Sequence, residues 1–233
     1  MKPTHVKPVA TSLFSLSILL AGQLQATPTG LNNIPTADTV PHRTVAVQSF
    51  SSFGEGANQF AANGPGEHSH WMGFKTGWEL PWANLEWGLD SPVITGPSGP
   101  LFFQTKANFS PWEDGLFALG VAGIAMTDTD RAGDPFTYGI LSQDLGLLRA
   151  HAGYGVQTGG NSWLLGVDRT WSVFERDFNL NLDLVQAADE SMWLPAAGLK
   201  YHLTEHLVFE WWTNFPERGK PSHIAKLNFV FTY

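Results

Sequence analysis

The chain contains no cysteine, few charged side chains (15%), and a marked shortage of positive charge, with 13 lysines and arginines against 21 aspartates and glutamates in 233 residues. Without cysteine there is no disulfide framework, so a small scaffold stapled by bridges is excluded, and burial or closure must supply the stability. The acidic balance argues against a nucleic-acid-binding surface. The sequence also lacks any run of the roughly 18 consecutive apolar residues needed by a membrane-spanning helix, which excludes a helical membrane bundle.

What is abundant is of another kind: 24 glycines, 10 tryptophans and 16 phenylalanines. A turn-permissive, aromatic-rich and cysteine-free composition suits an all-β protein, a barrel in particular, and the length fits one domain. The first residues read differently from the rest. Lys2 and Lys7 precede an apolar stretch from about Leu13 to Ala21, and small or polar residues lead to Ala26 and Thr27. This is the layout of a cleavable secretory signal over residues 1–26. Its removal takes away two lysines and no acid, moving the formal charge from −8 to −10.

Residues 27–42 are rich in Pro, Thr and Asn without periodicity. They are expected to form an extended periplasmic leader, either hanging free or folding into a lumen. Over residues 43–233, segments of about ten residues with period-two alternation recur between Gly, Pro, Asn and Asp clusters. The predicted strands run near Thr44 to Ser52, Trp71 to Leu80, Asn84 to Asp90, Leu101 to Ser110, Leu116 to Thr127 and Phe136 to Gln143. Six more run near Leu147 to Gln157, Trp163 to Val173, Phe178 to Gln186, Met192 to Leu203, Leu207 to Phe215 and Ile224 to Tyr233. The expected fold is therefore a closed antiparallel transmembrane β-barrel of about twelve strands, with ten or fourteen compatible with the same pattern.

Long connections alternate with short ones such as Pro81-Trp82-Ala83, Asp144 to Gly146 and Thr204 to His206. Barrels with short turns at one end and long loops at the other produce this asymmetry. A weak repeat, Gly73-Phe74-Lys75, Gly166-Val167-Asp168 and Gly198-Leu199-Lys200, supplies a guide to parity. In each copy Gly and the charged residue share one face and the apolar residue takes the other.

The outward set by this parity is almost purely apolar, including Phe74, Trp78, Leu85, Trp87, Phe103, Phe109, Leu180, Leu182, Leu199, Phe209 and Trp211. Such a surface must meet lipid or a second sheet. The inward set holds Lys75, Glu79, Glu86, Gln104, Lys106, Arg149, His151, Asp168, Asp183, Lys200, His202, Glu210 and Lys226, with several asparagines. A dry core could not hold it, so these residues are expected to line a lumen or pore. Glycines 120, 153 and 155 are expected to leave space there. Trp71, Trp163 and Trp193 near one set of strand ends, and Trp78, Trp82, Trp112 and Trp171 near the other, suggest two interfacial aromatic girdles. Arg169 conflicts with this pattern, because by parity it faces lipid and must snorkel or sit beside a bulge.

The chain ends KLNFVFTY, with Ala225, Leu227, Phe229, Phe231 and Tyr233 apolar at every second position and an aromatic last residue. This segment resembles the C-terminal assembly signal of bacterial outer-membrane β-barrel proteins, and the chain as a whole resembles small porin-like barrels in general. The resemblance implies insertion by the barrel-assembly machinery and location in the outer membrane of a Gram-negative envelope, with lipid and lipopolysaccharide as surroundings.

Candidate chemistry is sparse. Glu67-His68-Ser69-His70 could bind a metal but reads as solvated loop, and Asp128, Asp130, Gly133 and Asp134 form part of a calcium loop in which Ala132 and Gly139 stand at ligand positions. The acidic loops, with Asp189 and Glu190, could be bridged to lipopolysaccharide by divalent ions. No serine has a phospholipase or lipase context, so no catalytic residue, metal or cofactor is expected. The expected function is a small porin-like channel for passive passage of small hydrophilic solutes. Two alternatives stand beside it: a closed structural or adhesion barrel acting through its external loops, and a secreted soluble β-sandwich that binds glycans.

Overall fold

The computed structural model describes residues 28–54, 69–93, 100–127, 134–158, 160–186, 192–217 and 219–233. The proposed signal segment 1–26, Glu67, His68, most of the calcium-like loop, Asp189 and Glu190 lie outside the described residues.

Among the described residues twelve strands form: β1 (Thr44–Phe53), β2 (Ser69–Glu79), β3 (Asn84–Pro92), β4 (Phe102–Trp112), β5 (Gly115–Ala125) and β6 (Phe136–Asp144). The rest are β7 (Arg149–Gln157), β8 (Gly160–Val173), β9 (Arg176–Gln186), β10 (Trp193–His202), β11 (Leu207–Asn214) and β12 (Ser222–Thr232). Each pairs antiparallel with its sequence neighbours, and β1 pairs with β12 from Thr44 opposite Thr232 to Phe53 opposite His223, so the sheet closes on itself. One closed sheet replaces the two-sheet sandwich alternative. With 8 to 14 residues per strand, a tilted strand reaches across a hydrocarbon layer, which requires roughly 9–11 residues.

Alternation decides which residue faces where. On β4 the even residues from Phe102 to Asn108 are buried and the odd ones are not, and on β11 Val208, Glu210, Trp212 and Asn214 are buried between outward neighbours. The outward face is apolar and open, with Leu182 56% and Trp163 52% exposed. A surface of that kind is stable only against lipid. Arg169 faces out near one rim, where it donates to the Leu147 carbonyl and stacks 5.3 Å from the centroid of Trp171. It thus snorkels along an aromatic neighbour to a turn.

The barrel ends differ. Residues 80–83, 113–114, 145–148, 174–175 and 203–206 make tight turns at the end where β1 begins, and longer connections, except 158–159, lie at the other. At the β8–β9 turn Phe174 and Glu175 both take positive φ, 51° and 61°. This is the conformation of a type I′ hairpin, which favours Asn-Gly. The β4–β5 register shifts at two places, between Phe103 and Thr105, opposite the stretch containing Gly123 at φ 74°, and between Phe109 and Trp112.

Candidate functional site in the barrel lumen

Residues 28–41 do not hang below the barrel. They enter at the tight-turn end and fold back inside the lumen as a hairpin. Entry is set at β2, where Arg43 N–H donates to the Gly77 carbonyl at 3.1 Å and His42 bridges Gly77. Only glycine permits this approach, because a Cβ at position 77 would lie 1.8 Å from the Val40 oxygen. The segment climbs through Ala37, reaches its apex at Asn32 to Ile34, and returns through the bridge of Gly30 with Pro35 and the bond from Thr36 N–H to the Thr29 carbonyl (3.1 Å).

A stretch without strand partners must find other partners for its backbone polar groups, and here strand side chains provide them. Glu86 accepts from the amides of Thr29 and Val40 (both 2.8 Å) and from the Thr29 hydroxyl (2.5 Å). Lys106, 3.9 Å from Glu86, donates to the carbonyls of Thr29 and Thr36, and Asn108 donates to that of Ala37. At the apex Asp183 accepts three consecutive amides, Asn32 (2.9 Å), Asn33 (2.6 Å) and Ile34 (3.3 Å), while Asn33 Nδ2 reaches Asn214 Oδ1. A carboxylate receiving several N–H groups is a strong acceptor, so Asp183 anchors the tip.

Apolar contacts complete the docking. Leu31, Ile34 and Ala37 join inward-facing Trp71, Phe102, Phe136, Tyr138, Ile140, Leu164 and Val185 in one buried cluster. Gly166 and Gly198 make room for the hairpin, since a Cβ there would meet Leu31 at 2.6 Å and Asn32 at 2.1 Å respectively. The space beside Gly120 and Gly155, by contrast, is filled by the rings of Tyr138 and Phe136. Trp71, expected in a girdle, points into the lumen and stacks on Phe50 at 6.0 Å.

On the opposite wall Arg149 grips the rising arm by a two-pronged bond to Asp38 and holds Asp168 at 3.2 Å. Burial alone raises the Asp38 carboxyl, and the bond to Arg149 and its charge outweigh this, keeping the group below its usual 3.8. Asp168 also lies 2.7 Å from His151 Nε2, and His151 Nδ1 lies 2.7 Å from Ser142 Oγ. This connectivity is that of a Ser-His-Asp triad. The Ser142 oxygen, however, already accepts the Ala37 amide at 2.9 Å, the residue is only 2% exposed, and it borders neither lumen cavity. Buried in this way and bonded to the Ala37 amide, Ser142 acts as a clamp on the leader.

Two cavities flank the hairpin. One, of about 430 Å³, opens toward the tight-turn end beside Asp38, Arg149, Asp168, Asn179, Lys200 and His202. The other, of about 320 Å³, runs along β1, β2 and β10–β12 and is lined by Lys75, Lys200, Glu210 and Lys226 below Phe50, Trp71, Trp212 and Ile224. Gln104 is buried with Asp90 and Gln48. Glu79 stands exposed at the rim, its amide donating to His42 Nδ1. Leu227, Phe229, Phe231 and Tyr233 face outward. His70 is exposed on the barrel wall, 2.6 Å from the Ser51 hydroxyl. Ser142, Asp38, Asp90 and Gln48 escaped the sequence reading, since alternation gives a residue its face but not its partner.

No protein-family model and no curated protein matches the chain. Solved structures do. A KdgM porin superposes with a TM-score of 0.56 at 8% identity, over 80% of this chain and 99% of the porin. The COG4313 outer membrane channel from Pseudomonas putida F1 gives 0.54 at 10%, covering 88% and 99%. Outer membrane phospholipase A from Escherichia coli gives 0.52 at 9%, covering 92% and 97%. At such identities the likeness is one of fold: a closed outer-membrane-type β-barrel, a class that includes both channels and an enzyme.

Proposed function

We propose that the protein is an outer-membrane, porin-like channel for small hydrophilic solutes, its lumen narrowed by its own residues 28–41. The observation that carries this reading is a barrel with an apolar outside whose lumen, beside its apolar cluster, holds many buried charged and polar side chains and two cavities flanking the leader. The tight turns then belong to the periplasmic side and the long loops to the exterior, where lipopolysaccharide is the neighbour. The alternating outward residues of β12 are the surface offered to the barrel-assembly machinery. Fractionation with a heat-modifiability gel tests the location: the folded chain is expected in the outer membrane, migrating anomalously until boiled. Recovery from the periplasm without detergent contradicts it. In planar bilayers the folded chain is expected to give small single-channel steps, and no current at any voltage sinks the channel reading.

The closed-barrel alternative has one observation in its favour, the density of bonds holding the hairpin across the lumen. The fold neighbours include an enzyme, but the occupied Ser142 oxygen supports transport over hydrolysis.

A further inference from the structure

The leader does not fill the lumen evenly. Its bonds gather on one side, to Glu86 on β3, Lys106 and Asn108 on β4, Ser142 on β6, Arg149 on β7 and Asp183 on β9. On that side the packing is closed. The inward residues of β4 from Phe102 to Asn108 border neither cavity, and Ala118, Ile140 and Leu164 are fully buried. Toward β10 and β11 the leader is met by Asn214, 2.9 Å from Asn33 Nδ2, and by Lys200, 3.5 Å from the Gly30 carbonyl.

The cavity of about 320 Å³ occupies the other side and follows the strands from one end of the barrel to the other. On β12 every second residue from Ser222 to Val230 borders it, and on β11 every second residue from Val208 to Asn214. β1 adds Thr44 and Ala46 near the tight-turn end and Phe50 and Ser52 toward the long-loop end. The leader bounds the same cavity from inside, through residues Pro28 to Pro35 and Thr39 to Pro41. Strand register places Lys200 beside Glu210 and Glu210 beside Lys226, so a charged row crosses it. Lys200 and His202 border both cavities. A cavity needs only about 10–15 Å³ and a few polar partners to hold a water, so one of this volume with charged walls is wet.

We propose that solutes cross the barrel along this one wall, between β1, β10, β11 and β12 on one side and the docked leader on the other, and that the Lys200–Glu210–Lys226 row sets which charge passes. The leader is then a fixed part of the pore lining and need not leave for the pore to open. As a statement about a water-filled passage this stands alone; as a statement about transport it rests on the channel reading above.

The chain has no cysteine, so an introduced thiol reports its own surroundings. Four variants at inward positions form two matched pairs, Ala46→Cys against Ala118→Cys and Ile224→Cys against Ile140→Cys. The first of each pair borders the cavity and the second lies on the closed side. The full chain, folded in detergent and checked by the gel shift, is treated with a charged methanethiosulfonate, and labelling is followed by mass spectrometry. Ala46→Cys and Ile224→Cys are expected to label faster than their partners by roughly tenfold or more, since the thiolate is the reacting form and a dry apolar site suppresses it. Equal rates within either folded pair overturn the proposal, and if one variant does not fold the other pair decides. In bilayers Glu210→Gln is expected to move the reversal potential in a potassium chloride gradient toward the chloride value, and no movement overturns the role of the charged row. The expected labelling from a barrel that never conducts contradicts the channel and leaves the passage, whereas conduction with equal labelling contradicts the passage alone.

Discussion

Single carboxylates hold the leader in place, and each makes its own prediction. Asp183 collects three amides at the hairpin tip. Asp183→Asn keeps the shape but removes the charge, at a cost of about 1.5–3 kcal/mol, so hydrogen exchange at residues 32–34 should speed up by roughly tenfold or more. Unchanged protection would show that the carboxylate is not the anchor. Asp38, on the leader itself, adds a pH dependence. Its folded value lies below 3.8, so its contribution is complete above that value and is lost as pH falls below it. Conductance should therefore rise on acidification below about pH 4, and Asp38→Asn should abolish the step. Ser142, with its oxygen occupied by the Ala37 amide, should resist a fluorophosphonate probe in the intact barrel, and stoichiometric labelling would restore the hydrolase reading. None of these partners was legible in the sequence. Ser142 lies opposite His151 only because of the β6–β7 register, which a face-by-face reading does not supply.

The strands themselves were legible, because one face of each must be apolar toward lipid and the other polar, and period two then shows directly. Trp71 is instructive. Its parity matches Lys75, which places it inside, but a tryptophan at a strand end also fits an interfacial girdle, and only the stacked contact with Phe50 decides between them. The sequence left open whether the leader hangs free or folds into the lumen, because its partners are scattered over β3, β4, β6, β7, β9 and β11, and a segment without periodicity announces no face. Among the turns, Phe174-Glu175 carries strain, since each left-handed non-glycine residue is disfavoured by roughly 1–2 kcal/mol. Replacing the pair by Asn-Gly should raise the urea midpoint of the gel-shifted form. A lower midpoint would mean that the Phe174 ring, 91% exposed here, gains more from its surroundings than the turn loses.

At the scale of the whole molecule, closure joins two environments that neither half of a strand pair could sustain alone. The outer face requires lipid and the inner face requires water or the leader, and the hairpin fills part of the inside while leaving the cavity of about 320 Å³ along one wall. The barrel is thus proposed to conduct past its own residues 28–41. Paired single-channel recordings of the full chain and of a chain lacking residues 28–41, both verified as folded by the gel shift, test it most directly. Small steps are expected from the full chain and distinctly larger ones from the shortened chain. Equal steps would show that the leader is not in the path, and silence from both would show that the barrel is not a channel.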